Sequence, residues 1–226
     1  MRSYHAWYAF GMSRWMAISG LFACSLLGAG CMGFPGRPPE QPQEPSTPTA
    51  TIATMSVDEE ETAPSMVAFP VEEYATRITK KRFGQYVQDR FTGYHAGDDI
   101  EFADDASRAR EIPVGAIADG EIVRVSRVSG YGGVIVTRHA INGRIITALY
   151  GHLDLSSVTL RPGDLVTRGQ FLANLGEHES TETDGERKHL HFGLYEGSDG
   201  RVNGYEAAEA GLKKWLDPSV FFANGG

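Results

Sequence analysis

The sequence predicts a mainly β fold, an antiparallel β-sheet domain closed by one short C-terminal helix and preceded by a disordered N-terminal linker. Three observations carry this. Glycine is abundant, with 27 in 226 residues, beside 11 Phe and 9 Tyr, a composition of turns and strands. Short apolar runs alternate with turn dipeptides such as Asp119-Gly120 and Asn142-Gly143. Helical periodicity is scarce, and residues 205–216 are the one good candidate for a helix. The charge is acidic, 29 Asp and Glu against 21 Lys and Arg, with no basic stripe, which argues against a nucleic-acid partner.

The chain divides into residues 1–31, 32–65 and 66–226. The first segment has Arg2 and Arg14, an apolar run from Trp15 to Ala29 and no acidic residue. That is the layout of a secretory signal, too short for a comfortable membrane span. It ends Leu26-Leu27-Gly28-Ala29-Gly30-Cys31, which resembles a bacterial lipobox with Gly28 where Leu is usual. Lipidation of Cys31 would anchor an exported protein in the cell envelope; plain secretion and an uncleaved anchor are the alternatives. In a cell with two membranes, Met32 after the cysteine resembles the signal for outer-membrane sorting. Cys24, the other cysteine, lies inside the apolar run, so a cleaved chain has no disulfide framework. The second segment interleaves six prolines from Pro35 to Pro48 with Gln, Glu, Ser and Thr, then adds an acidic cluster at Asp58 to Glu61. It has too little apolar surface to offset its ordering entropy and reads as a linker, reaching between about 30 Å as a coil and about 100 Å as polyproline.

In residues 66–226 the elements follow from turn chemistry. Arg77 to Gly84 is a short strand that Gln85 to Val87 can extend. Phe91 to Phe102 contains His95 and Asp99, and Gly93 and Gly97 argue against a helix there. Residues four apart share a side in an extended chain, so His95 can act with Asp99 while Asp98 points away. Ile112 to Val125 reads as two strands turning at Asp119-Gly120. Val134 to His139 is a buried strand, and Asn142-Gly143 turns it into a returning strand, Arg144 to Tyr150, that delivers His152 to a cleft. Further turn-and-strand units follow between Arg161 and Leu172. The meander closes with Lys188 to Tyr195, and the helix at 205–216 is stopped by Asp217-Pro218.

The closing strand holds Lys188-His189-Leu190-His191-Phe192, in which period-two alternation brings both imidazoles to one face. Neutral imidazole binds metals, and a neighbouring ring can do proton chemistry. Taken together, His95-x3-Asp99, Ala118-Asp119-Gly120, Gly130-Tyr131-Gly132, Tyr150-Gly151-His152-Leu153 and His189-x-His191-Phe192, in that order, resemble the lysostaphin-type (LytM-like) zinc metallopeptidases. The resemblance covers about Phe83 to Phe222. It implies a β domain with an active-site groove over an antiparallel sheet, cleaving peptide bonds of bacterial peptidoglycan. Carried over by position, it makes His95, Asp99 and His191 ligands of one Zn²⁺, with His152 and His189 catalytic. Two imidazoles and one carboxylate leave a net positive metal with room for water. His189 is the choice for taking the proton from water and His152 for the oxyanion or the leaving amine, although either ring can fill either role.

His139 reads as structural or groove-lining. His178 falls in Glu177 to Lys188, acidic first and basic last, where family members usually have a short Gly, Ser and Thr-rich segment. Arg187 and Lys188 there either meet a substrate carboxylate or belong to a solvated loop. Two other classes compete with a peptidase. A non-enzymatic LytM-like factor would bind peptidoglycan or activate an amidase, but such factors generally lack some ligands and this chain has all of them. A lipoyl-type carrier would explain Ile112 to Val125 and Leu160 to Leu172, but no Lys stands in a turn between them.

Overall fold

Turn chemistry sets the centre of the fold. Asn142 and Gly143 both adopt positive φ, 49° and 73°, the combination that lets a two-residue turn follow the twist of its strands. The computed structural model describes residues 66–226; the leader with Cys31 and the proline-rich stretch lie outside the described residues. In chain order the strands are β1 (Thr79–Lys81), β2 (Tyr86–Gln88), β3 (Thr92–His95), β4 (Asp98–Glu101), β5 (Pro113–Gly115), β6 (Gly120–Val128), β7 (Gly132–Ile141) and β8 (Arg144–Gly151). They continue with β9 (Leu153–Asp154), β10 (Leu165–Val166), β11 (Phe171–Leu175), β12 (His189–Glu196), β13 (Tyr205–Glu206) and β14 (Trp215–Leu216). Two short helices are α1 (Asp105–Arg108) and α2 (Pro218–Ala223). All pairings are antiparallel, as predicted.

The main sheet runs β1-β4-β12-β8-β7-β6-β10, with β14 also paired to β12. Two smaller sheets have the orders β5-β11-β9 and β13-β3-β2. The histidine-bearing strand therefore does not close a meander; it is inserted between β4 and β8. Its side chains explain the position. Leu190, Phe192 and Leu194 belong to the main core, while Tyr195 on the other face packs against Trp215 at 5.2 Å. A strand buried on both faces belongs inside a sheet.

Two further expectations are corrected. Residues 112–125 do not form a hairpin, because β5 pairs with β11 and β6 with β7. Gly120 does not take a positive φ. It is glycine because a Cβ there would lie 2.3 Å from the Arg138 carbonyl oxygen, so it serves strand approach rather than a turn. Nor is 205–216 a helix. Tyr205 and Glu206 pair with β3, Glu209–Lys214 is a 3₁₀ turn, and Trp215–Leu216 pairs with β12. Asp217-Pro218 starts α2 instead of stopping a helix. Asp217 accepts from the Ser219 and Val220 amides, and Pro218 occupies the first turn, where a missing N–H costs nothing.

Candidate functional site

Register brings the site together. On β12, His191 lies opposite Asp99 of β4 and Gly151 of β8, and His189 lies opposite Glu101. His95 arrives from β3, in a different sheet, through the Ala96-Gly97 connection. A Cβ at Gly97 would stand 2.4 Å from the Phe192 carbonyl oxygen, so glycine is what lets this connection lie on β12.

His95 Nε2, His191 Nδ1 and Asp99 Oδ1 form a small triangle. Its edges are 3.1 Å between the nitrogens, 3.2 Å from His95 to Asp99 and 3.0 Å from His191 to Asp99. Neutral rings cannot satisfy this arrangement with hydrogen bonds. If both nitrogens donate to the carboxylate, two N–H groups face each other at 3.1 Å. A cation in the centre removes the conflict, and tetrahedral zinc ligands about 2.0–2.2 Å from the metal stand about 3.3–3.6 Å apart, a few tenths of an ångström wider than these edges. The residues therefore fit a metal. All three are buried, and they form the metal-ligand cluster found among the described residues.

His152 and His189 lie beside the cluster, with ring centroids 4.1 Å apart. His152 takes a left-handed φ of 64° between β8 and β9, a sparsely used conformation that turns its ring across to β12. Its Nδ1 is 3.2 Å from the Thr183 carbonyl oxygen, and His189 Nδ1 is 2.7 Å from that of Arg187. A carbonyl only accepts, so both Nδ1 atoms carry the proton and both Nε2 atoms are bare. His189 Nε2 is 3.5 Å from Asp99 Oδ2. Burial pushes the His189 pKa down to about 4, with help from the nearby Arg187 and His191, and it pushes His152 well below the ordinary value, so both are neutral near pH 7. Burial alone would raise the Asp99 carboxyl. The surrounding His189, His191 and His95 rings more than reverse this and hold it well below the usual range.

Thus Asp99, His152, His189 and His191 line a groove of about 150 Å³ together with Lys81, Tyr131, Arg187 and Tyr205, and the fully buried His95 lies behind it against His191 and Asp99. Sequence reasoning missed two of these as functional. Tyr131 entered only through the Gly130-Tyr131-Gly132 motif, with no role of its own. Its ring lies 5.0 Å from His191 and 5.4 Å from His152, and its buried hydroxyl has no partner among the described residues. A large aromatic between two glycines was the available signal. Arg187 was left between a substrate contact and a solvated loop. It donates to Asp99 and Glu101 instead, and Lys188 is wholly buried, its ammonium on the Arg110 carbonyl and Glu177. The charged segment is therefore part of the wall of the site. His178 Nδ1 accepts the Lys188 amide, and His139 stands outside the groove on a structural network.

Among solved structures, the chain is similar to that described as the identification and structural characterization of LytU, at 24% identity over 75% of this chain and 92% of that one, with a TM-score of 0.45. It is similar to lysostaphin at 26% identity, 66% and 51% coverage and a TM-score of 0.46. It is also similar to a chain of the SpoIIIAH and SpoIIQ complex, at 20% identity, 69% and 99% coverage and a TM-score of 0.47. None of the curated proteins matches. A profile described as peptidase family M23 matches residues 93–204, a stretch that contains the whole His-Asp-His cluster together with Tyr131, His152 and His189, and on this match the chain belongs to peptidase family M23.

Proposed function

We propose that this protein is a zinc-dependent endopeptidase that hydrolyses the peptide cross-links of bacterial peptidoglycan. The observation that carries the reading is the triangle of His95, Asp99 and His191 facing two neutral imidazoles with bare Nε2 atoms in one groove. Family membership supports the peptidase chemistry, and the resemblance of the motifs to lysostaphin-type enzymes supports the substrate.

Zinc, held by His95, Asp99 and His191, supplies Lewis acidity toward water and the scissile carbonyl. The chain's own groups do the rest. His189, whose Nδ1–H is fixed on the Arg187 carbonyl, receives the proton of the attacking water at Nε2. His152, fixed in the same way on the Thr183 carbonyl with its ring 4.1 Å from that of His189, takes over that proton and delivers it to the leaving amine. Tyr131 donates its unpartnered hydroxyl to the carbonyl oxygen as negative charge develops there; burial raises its pKa well above the ordinary value and so keeps the proton on.

The test is zinc content together with mass spectrometry of fragments released from cross-linked peptidoglycan. The wild type should hold about one zinc per chain and expose new amino termini within stem-peptide bridges. His152→Ala and His189→Ala should abolish cleavage and keep the metal, while His95→Ala should lose it. Zinc loss in His152→Ala as severe as in His95→Ala would show the roles to be misassigned. Full zinc occupancy with no cleavage of any wall preparation would favour a non-enzymatic wall-binding factor. The proposed location is the cell envelope, through a lipid on Cys31. Unchanged membrane retention of Cys31→Ala, with no acyl label on the wild type, would refute it.

A further inference from the structure

Arg187 belongs to the charged segment that leads into the two histidines, and its contacts divide the two oxygens of one metal ligand. Nη2 donates to Asp99 Oδ2 at 2.9 Å and Nε donates to Glu101 Oε1 at 2.7 Å. Asp99 and Glu101 are two apart on β4 and so present their carboxylates on one face, where the planar fork of a guanidinium can bridge both. The other oxygen, Asp99 Oδ1, is the one that closes the triangle with His95 and His191. The Arg187 side chain is 14% exposed, so the bridge is well shielded from water. Its main chain acts as well, through the carbonyl that receives His189 Nδ1–H at 2.7 Å.

From this division we infer that Arg187 is a positioning residue that holds Asp99 as a one-oxygen metal ligand and thereby sets how tightly the domain retains its metal. The inference rests on the metal site of the proposed function. A carboxylate free at both oxygens can rotate or bind through both; one tied at Oδ2 presents Oδ1 in a fixed direction. Partners that orient ligands in this way typically contribute about 10–100-fold in metal affinity. Simple neutralisation of the buried Asp99 and the half-buried Glu101 is a different role, which any cation could fill. Only a fork can bridge them, and an ammonium is a point charge without that geometry.

The experiment is zinc competition against a chelator of known affinity, performed on the purified protein, with the absorption spectrum of the cobalt-substituted form as a second readout. Arg187→Met should bind zinc about 10–100-fold more weakly. Its cobalt spectrum should lose intensity as Asp99 takes up a second oxygen contact and the coordination number rises. Arg187→Lys keeps the charge without the bridge and should fall between Arg187→Met and the wild type. Should Arg187→Met fail to fold, Arg187→Lys alone decides the matter. Wild-type affinity and an unchanged spectrum in whichever variant folds would overturn the inference. Zinc binding without peptidoglycan cleavage in the wild type would refute the proposed function and leave this inference standing, so the two fail separately.

Discussion

In the proposed mechanism Tyr131 is a donor prepared before any substrate arrives, because its hydroxyl is buried without a partner among the described residues and its proton is held by burial. Tyr131→Phe should lower kcat on a soluble cross-linked muropeptide by about 10²–10³, the usual cost of one oxyanion donor, with little change in KM. Zinc content and Tm should stay at wild-type values, since no hydrogen bond within the protein is lost; an unchanged kcat would remove the hydroxyl from the mechanism. His139 is a buried imidazole of another kind. It lies five positions from Val134 along β7, about 17 Å away from the strand end beside Gly151. There its Nδ1–H donates to the Asp119 carbonyl and its Nε2 faces the Thr137 hydroxyl at 2.6 Å. Burial lowers its pKa, so below about pH 6.5 the unfolded chain binds the proton more tightly than the folded one. Its contribution to stability is therefore complete above that pH and is lost as pH falls toward the folded value. The Tm advantage of the wild type over His139→Gln should narrow between about pH 7.5 and about pH 5. A gap that is constant with pH would show that His139 does not titrate in this way. At this scale the pairing of His189 with His191 was legible because period-two spacing survives folding as a shared face, whereas His95, Asp99 and His152 come from different strands and a turn and were picked out by the family motifs. The roles of Tyr131 and Arg187 were not legible, because an unpartnered hydroxyl and a carboxylate bridge depend on what other strands bring alongside.

Element ends show where local chemistry decides and where it is overruled. The Asn142-Gly143 turn was readable because its two positive φ values are a property of those two residues alone. The stretch 205–216 was misread because helical periodicity there is outcompeted by pairing, with Tyr205 stacking on Phe91 at 5.6 Å and the Trp215 indole donating to Glu206 at 3.0 Å. Asp217-Pro218 is ambiguous as a sequence signal, since the same pair can follow one helix or cap the next. In the structure it caps, and the consequence is measurable. Asp217→Ala removes an acceptor from the Ser219 and Val220 amides and should destabilise the fold by about 1 kcal/mol in urea titrations. Asp217→Asn should recover most of that loss. The effect should extend beyond α2, because Ser219 donates to the buried Asp98, which also receives the Tyr74 hydroxyl and the Phe83 amide. Equal stability of Asp217→Ala and the wild type would show that this packing, rather than the cap, holds the helix.

The whole domain depends on how two sheets are joined, which no local pattern in the sequence expresses. The metal site has one ligand from each of three strands: His95 from the sheet β13-β3-β2, and Asp99 and His191 from neighbouring strands of the main sheet. A zinc held there, as proposed, would thus cross-link two sheets. Lys81 reinforces the junction from β1, reaching Asp89 at 2.7 Å and the Tyr205 hydroxyl at 3.1 Å, and Arg90 does so by reaching Asp184 and Glu186. These ion pairs are partly exposed and contribute modestly, at most about 1 kcal/mol each. The main sheet has a different source of stability, because both faces of β12 and most of β7 are buried in apolar clusters. Chelation should therefore act unevenly. With free zinc at about one hundred times Kd, removal costs about 2.7 kcal/mol, and for a domain of this size Tm should drop by about 5–10 °C. Amide exchange should accelerate most in residues 86–95 and 205–206, and least in β6, β7 and β8. Exchange that rises uniformly across both sheets would mean that the metal stabilises only the global fold; exchange that rises first in the small sheet would identify the metal as the tie that holds the groove closed on that side.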